Sequence, residues 1–336
     1  MKKFLLVTGI TLLLFILGLS TSLFTSCEGP AGPAGEDASE TCTQCHDDDT
    51  ELLARQLQYQ NSVHYLGGNF ERDAPSCAPC HTHEGFIERM TTGEMTSISP
   101  ENPTPPSCRT CHEIHESYDS TDWALRYTEP VELWITGTEV DLGMGNMCTN
   151  CHQPRVPDPL PAVGGGDVTI SSPYWGIHHG PQSAIIAGTA GYEFSGDENY
   201  GTDPHLNVPD GCVTCHMAEP YGVQSGGHTM KMAYQYHGHL EFNTDGCTAC
   251  HDDEEALVTT MENNRAEIEN LLSQLEAKLV AQGVLTAEGS LNVPMTISSD
   301  LGGALLNYKL IEEDRSFGAH NPKYTLALLK NTIASI

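Results

Sequence analysis

Six copies of the motif Cys-x-x-Cys-His place the strongest constraint on how this chain can fold. They use twelve of its thirteen cysteines, and a histidine follows every pair. The copies, numbered motifs 1 to 6 in chain order, recur without a fixed period: CTQCH (42–46), CAPCH (77–81), CRTCH (108–112), CTNCH (148–152), CVTCH (212–216) and CTACH (247–251). This spacing lets both thiols bond to the two vinyl groups on one edge of a porphyrin while the histidine reaches the iron, so the motif is typical of c-type haem attachment.

Zinc sites and disulfides are the two alternatives for such cysteine pairs. Two Cys-x-x-Cys units can form a four-cysteine zinc site, but zinc does not require a histidine after every pair. A dicysteine redox site would not recur six times. The sequence therefore predicts six covalent haems, each with a motif histidine as its proximal iron ligand: His46, His81, His112, His152, His216 and His251. The attaching residues are Cys42, Cys45, Cys77, Cys80, Cys108, Cys111, Cys148, Cys151, Cys212, Cys215, Cys247 and Cys250.

Glycine and proline are abundant, with 32 and 20 residues, whereas aromatic residues make up only 7% of the chain. This composition predicts a loop-rich chain with a smaller side-chain core than usual. Six haems, each a large apolar disc, can replace part of that core. We therefore expect a mainly α fold with extensive irregular loops and little β-structure, organised around six covalent haems.

The N-terminus carries an export signal. MKK is basic, residues 4–19 are apolar, and Ser26 precedes Cys27 as in a bacterial lipobox. We expect a lipoprotein signal peptide over residues 1–26, a lipid on Cys27 and a stiff Gly/Pro tether over residues 27–40. An ordinary signal peptide and an uncleaved membrane anchor are the alternatives. All three place the rest of the chain outside the cytoplasm, at the outer membrane, at the cell surface or facing the periplasm.

The formal net charge of −30 limits the partners of the chain. Nucleic acid and anionic lipid would be repelled, so membrane contact is expected only through a lipid on Cys27. A cationic or neutral redox partner is favoured, either another cytochrome or an extracellular electron acceptor. The acidic clusters Asp47–Asp49 and Asp197–Glu198 are candidates for binding calcium, although a solvated acidic surface is the commoner role.

Residues 254–283 predict the longest helix. Their leucines, with Met261 and Ile268, recur at helical spacing, and Gly283 is a plausible stop. Two further apolar stretches, 301–314 and 322–336, predict helices that bracket His320. We therefore divide the chain after its tether into a haem-binding body, 41–253, and a C-terminal helical segment, 254–336. We expect this segment to pack on the body and to supply His320. The alternative for the long helix is a surface for a partner or for self-association.

Ten histidines lie outside the motifs and could bind iron on the distal face. Two imidazoles give a six-coordinate, low-spin iron, whereas an open face would be a place for chemistry. His115 lies one turn beyond His112 and cannot bind the other face of the same iron. The neighbours His178 and His179 point in different directions. If both bind iron, they bind two different haems and hold those haems side by side.

Several segments resemble a family of bacterial multihaem c-type cytochromes: PSCAPCHTHEGF, CRTCHEIH, NMCTNCHQPR, HHGPQSAIIAGTAGYE, DGCVTCHM followed by GGHTM, and SFGAHNPKY. The resemblance covers most of residues 40–335. The tail, a long helix and then Gly-x-His-Asn-Pro-x-Tyr, is similar to the superfamily of pentahaem nitrite reductases and octahaem oxidoreductases, and some extracellular cytochromes of this general kind stack into filaments. The resemblance implies these distal ligands: His64, His115, His178, His179, His228 and His320. The reserves are His83, His205, His237 and His239, with His205 as the first substitute.

Electron transfer is favoured over catalysis. Catalytic members of that superfamily surround one open iron with basic or polar groups, but here the bases are few, and Lys231 is the next one after Arg155. No motif has lysine in place of histidine. We expect no catalytic residues and a chain of bis-histidine haems that relays electrons, as an extracellular conductor or a polymerised filament. The alternative is a reductase or oxidase acting on a small nitrogen or sulfur compound at one open haem.

Overall fold

Short helices joined by long irregular segments make up most of the chain before residue 254. The computed structural model describes His46 and residues 50–67, 69–94 and 99–336. The α-helices in those ranges are α1 (Thr50–Gln60), α2 (Val63–Leu66), α3 (Ala78–His81), α4 (His83–Thr92), α5 (Cys108–Cys111), α6 (Asn146–Thr149), α7 (Gln182–Ile186), α8 (Cys212–His216), α9 (Glu254–Ala281), α10 (Ser299–Asp314) and α11 (Pro322–Ser335). The 3-10 turns are Asn69–Glu71, Ser120–Trp123, Gly143–Gly145, Pro204–Asn207 and Gly227–Thr229.

Strands are few and short in the described ranges. They are β1 (Val131–Glu132), β2 (Glu139–Val140), β3 (Val168–Ile170), β4 (Ala233–Tyr236), β5 (His239–Phe242) and β6 (Met295–Ile297). They form three separate antiparallel pairs, β1 with β2, β3 with β6 and β4 with β5. Thr169 lies opposite Thr296, so the β3–β6 pair ties the middle of the chain to its C-terminal segment. The prediction of a mainly α fold with little β-structure is confirmed.

The chain divides into two units. One comprises residues 1–48 with Tyr118–Ser120, and within it the structure describes only His46 and those three residues. The other comprises residues 49–117 and 121–336, and it contains all the contacts analysed below.

The long helix α9 follows the prediction closely. It begins at Glu254, where the Asp253 side chain accepts a hydrogen bond from the backbone N–H of Ala256 and so satisfies one of the free donors of the first turn. Gly283 just beyond its end has a φ of +72°, a conformation that glycine adopts without strain. Leu275 and Leu279 on its inner face are completely buried. The predicted helix is confirmed.

Helices α10 and α11 pack on α9 and complete the side-chain core. Leu305, Leu310 and Leu328 are fully buried there, and burying each contributes roughly 2 kcal/mol. The Asn307 side chain accepts from the backbone N–H of Tyr192 at 2.7 Å and donates to its carbonyl at 2.7 Å, which binds the loop before residue 194 to α10. The two predicted helices that bracket His320 are confirmed, and the connection between them is held by this core.

Candidate haem-binding sites

Each motif in the described ranges forms a single helical turn. The backbone N–H of the motif histidine donates to the backbone carbonyl of the first cysteine, for example at 2.9 Å from His112 to Cys108 and at 3.0 Å from His251 to Cys247. Side chains at positions i, i+3 and i+4 of a helix lie on one face. Each turn therefore directs two thiols and one imidazole to the same side. The ten cysteines of motifs 2 to 6 are all free thiols, so the donor set fits covalent haem attachment.

A second histidine ring faces the motif histidine in each of motifs 2 to 6. The distances between ring centres are 6.0 Å for His81–His178, 6.2 Å for His112–His228, 6.0 Å for His152–His64, 6.2 Å for His216–His320 and 6.4 Å for His251–His205. Two metal–nitrogen bonds of about 2 Å, with about 1 Å from each nitrogen to its ring centre, add up to roughly 6 Å. The spacing of all five pairs therefore fits one metal ion held between two imidazoles.

The Nδ1 atoms of three motif histidines are occupied by protein acceptors. His112 Nδ1 lies 2.7 Å from the carbonyl of Trp123, His152 Nδ1 lies 3.0 Å from Gln182 Oε1, and His216 Nδ1 lies 3.0 Å from the carbonyl of Met230. Carbonyl oxygens only accept, so each Nδ1 carries the proton. This tautomer leaves Nε2 as the atom available to iron and fixes the plane of the ring.

His320 has the strongest acceptor. Its Nδ1 lies 2.7 Å from Oδ1 of Asp314, whose side chain is only 2% exposed. Burial disfavours the charged imidazole, but the charge and the hydrogen bond of Asp314 outweigh burial, so the pKa of His320 is raised. A carboxylate partner makes an imidazole a more basic ligand.

Three of the facing histidines are neutral at physiological pH. Burial, followed by the neighbouring His152, lowers the pKa of His64 to about 4. Burial also lowers the pKa of His178 to about 4, with smaller effects from His179 and Arg155, and that of His228 to about 4. Neutral imidazole is the form that binds a metal, so these rings are ready to act as ligands.

The two neighbouring histidines have different partners. His178 faces the motif histidine His81. His179 Nδ1 lies 2.6 Å from Oε2 of Glu313 at the end of α10, and its side chain is 60% exposed. The bond to Glu313 still leaves Nε2 of His179 for a metal, but His179 faces none of the motif histidines of motifs 2 to 6, so iron binding by both rings stays a prediction.

His205 faces His251, the motif histidine of motif 6. It lies in the 3-10 turn Pro204–Asn207, where Asp203 Oδ1 accepts from its backbone N–H at 3.0 Å. Oδ1 of Asp203 also lies 3.2 Å from Nδ1 of His205, a charge contact that lacks hydrogen-bond alignment. The sequence analysis kept His205 only as a substitute. One signal could have ranked His205 higher as a ligand. Asp203 stands two positions before it, and an acidic residue there can contact both the backbone and the ring of the histidine.

The remaining histidine predictions have other surroundings. Cys42 and Cys45 lie outside the described residues, and His46 is an exposed helical residue. His115 has a φ of +66°, and its backbone N–H donates to the buried Asp122 at 2.8 Å; its role as a ligand stays a prediction. Among the reserves, His83 Nδ1 bonds to Thr110 Oγ1 at 2.9 Å, and the β4–β5 hairpin carries exposed His237 and His239.

The acidic clusters and the helices bear on calcium binding and membrane insertion. Of the acidic clusters, Asp47–Asp49 lies outside the described residues, and Asp197 and Glu198 are exposed. In the ranges described above, no three histidine, cysteine or acidic side chains form a group that could hold a metal ion. The same ranges contain no helix that is both long and apolar enough to cross a membrane. The predicted signal peptide and Cys27 lie outside them.

The fold, with its short motif turns and facing imidazoles, resembles that of a solved cytochrome. Among solved structures it is similar to the outer cell wall cytochrome OcwA, with a TM-score of 0.53 and 21% sequence identity over 83% of this chain and 49% of that one. The chain thus spans about half the length of that cytochrome. No family model and no curated protein matches the chain. At this identity the likeness establishes the fold, and the function has to be argued from the residues.

Proposed function

We propose that this chain is an exported hexahaem c-type cytochrome that relays electrons through bis-histidine haems. The observation that carries the proposal is the set of five imidazole pairs spaced 6.0–6.4 Å apart, each containing one motif histidine. A haem iron bound on both faces exchanges single electrons without giving up a ligand. No position is then left for a substrate at these five sites.

The proposed ligands of motifs 2 to 6 follow from the pairs. The motif histidines bind the proximal faces, and the distal ligands are His178, His228, His64, His320 and His205 in the order of motifs 2 to 6. His205, the first substitute of the sequence analysis, thus fills motif 6, and His179 stays proposed, beside His115, as a ligand outside these five pairs. Cys42, Cys45 and His46 are proposed to hold the sixth haem, and His115 remains proposed as a distal ligand.

The role of the protein in this chemistry is to fix the ligands. The haem supplies a one-electron ferric–ferrous couple. Trp123, Gln182, Met230 and Asp314 each accept a hydrogen bond from a proposed ligand and hold its ring in one orientation. Rigid ligands keep the two oxidation states alike in geometry, so little rearrangement accompanies each electron transfer.

The proposed location is the outside of the cell. A basic start, an apolar run and Ser26 before Cys27 support a signal peptide and a lipid anchor. The net charge of −30 supports a cationic or neutral partner, either another cytochrome or an extracellular electron acceptor. Assembly into a filament and the relationship to the pentahaem nitrite reductases rest on the sequence resemblance alone. Electron microscopy of secreted material would detect filaments directly.

The test is the spectrum and haem content of the purified protein. The proposal expects six haems per chain, counted from the intact mass, and only low-spin ferric iron. A stable high-spin ferric haem that binds nitrite, hydroxylamine or cyanide would overturn the electron-transfer proposal in favour of the reductase or oxidase. The double variant Cys247→Ala/Cys250→Ala is the control and should lose one haem, because both attachment points of motif 6 are removed.

A further inference from the structure

We propose that four of the haem sites form one continuous line in the order motif 2, motif 4, motif 5, motif 6, and that motif 3 joins this line beside motifs 4 and 5. This haem line rests on the proposed function, since it concerns the path that electrons take between the sites. It departs from the order of the motifs in the sequence, in which motif 3 stands between motifs 2 and 4.

The first contact joins motifs 2 and 4. Cys151 Sγ of motif 4 lies 4.0 Å from the carbonyl of Pro79 within motif 2. The thiols of Cys80 and Cys151 also interact directly with each other. Each thiol attaches to an edge of its own haem, so neighbouring thiols from two motifs imply that the two haem edges are neighbours as well.

The second contact joins motifs 4 and 5. Cys212 Sγ of motif 5 lies 4.0 Å from the carbonyl of Gly145, which begins the turn of motif 4. A Cβ atom on Gly145 would lie 2.9 Å from the backbone nitrogen of Cys212, so the two backbones approach closely only because this residue is glycine. The thiols of Cys148 and Cys212 interact as the first thiol pair does.

The third contact joins motifs 5 and 6. A Cβ atom on Gly246, just before motif 6, would lie 2.5 Å from the carbonyl of Thr214 and 2.9 Å from Cα of Cys215, both in motif 5. Glycine again permits one motif to lie against the backbone of the next.

These contacts form a line. Motif 4 contacts motif 2 through Cys151 near its end and motif 5 through Gly145 at its beginning. Motif 5 likewise contacts motif 4 through Cys212 and motif 6 through Thr214 and Cys215. Two neighbours that contact different parts of one motif lie at different positions along its haem edge, so motifs 4 and 5 are interior members of the line.

Motif 3 joins the line through one loop. His228 faces His112 of motif 3, and two residues later the carbonyl of Met230 accepts from His216 of motif 5. Met230 Sδ lies 3.0 Å from Nδ1 of His64, which faces motif 4. The loop therefore contacts ligands of motifs 3, 4 and 5.

The loop places the branch in the interior of the line, since it contacts a ligand of motif 4 and a ligand of motif 5. Electrons that enter at motif 3 would then join those from motif 2 before passing to motif 6. The line ends at the surface, since residues 248–256 are exposed.

The test is the position of the irons in the haem-loaded full chain, located by electron cryo-microscopy. The proposal expects the irons of motifs 2 and 5 as neighbours of motif 4, the iron of motif 3 next to that of motif 4 or motif 5, and the iron of motif 5 as the nearest neighbour of motif 6. A motif 6 iron nearest to any other haem, or adjacent irons of motifs 2 and 5, would overturn the order. The haem count of the same sample tests the proposed function separately, because five loaded sites would refute the hexahaem count and still reveal the order.

A second measurement follows the line in solution. Methionine in place of a distal histidine raises the reduction potential of that haem, so it is reduced first. In His205→Met, reduction of the motif 6 haem should lower the reduction potential of the motif 5 haem. In His178→Met, reduction of the motif 2 haem should lower the reduction potential of the motif 4 haem. NMR-monitored redox titrations resolve the individual haems. A shift in motif 2 or motif 3 in the His205→Met protein would contradict the proposed order.

Discussion

Asp314 accepts a hydrogen bond of 2.7 Å from Nδ1 of His320, and this carboxylate is almost completely buried at the end of α10. Ser316 also donates to it. This carboxylate lies beside the proposed distal ligand of motif 5. It makes the imidazole a stronger donor and stabilises ferric iron relative to ferrous iron.

The variant Asp314→Asn should therefore raise the reduction potential of one haem. The expected shift is on the order of a tenfold change in the ferric–ferrous equilibrium, or about 59 mV for one electron. Glu313→Gln is the matched control. It removes the same charge one residue earlier in the chain, from a carboxylate that bonds to His179 and not to His320. A potentiometric titration of both proteins decides the matter; equal shifts in the two variants would assign the effect to charge alone.

The choice between His205 and His179 gives a second prediction. His205→Ala should leave one iron with a single protein ligand and produce a high-spin ferric signal in the electron paramagnetic resonance spectrum. His179→Ala should keep the haems of motifs 2 to 6 low-spin, because its ring faces none of their motif histidines. A high-spin signal in the His179→Ala protein, together with an unchanged spectrum in His205→Ala, would refute the proposed ligand of motif 6.

These two histidines also mark the limit of what the sequence predicts. The turn of each motif and the long helix α9 follow from spacing and periodicity within short segments, so both could be predicted. The distal ligand of a haem is set by which remote loop packs over it: His64 of α2 faces His152, and His228 faces His112. Local sequence does not contain that information, and a doublet such as His178–His179 attracts attention without fixing where each ring points.

The angles between the facing rings predict the spectra of individual haems. The planes of His64 and His152 are 84° apart, whereas those of His112 and His228 are 36° apart. Near-perpendicular imidazoles leave two iron d orbitals almost equal in energy and give a low-spin signal with one very large g value. More parallel rings separate those orbitals and give a rhombic signal. The oxidised protein should show both types.

Ligand variants assign those signals. His64→Met should remove the component with the largest g value and leave that of the His81–His178 pair, whose planes are 69° apart, while His228→Met should remove a rhombic component. The pair is matched, because each variant changes one distal ligand to the same residue. If His64→Met removed only a rhombic component, the orientation of the His64–His152 pair would be refuted.

The close contact at Gly246 predicts a loss of stability on adding one methyl group. Gly246→Ala would place a Cβ atom 2.5 Å from the carbonyl of Thr214, so motifs 5 and 6 must move apart at a cost of about 1–3 kcal/mol. Gly166→Ala is the control, since a Cβ atom there meets nothing within 4 Å, and it should be neutral or stabilising by up to about 1 kcal/mol. Denaturant midpoints of the two haem-loaded proteins measure the difference. Equal midpoints would mean that motifs 5 and 6 are not packed against each other, which would remove the last contact of the proposed haem line.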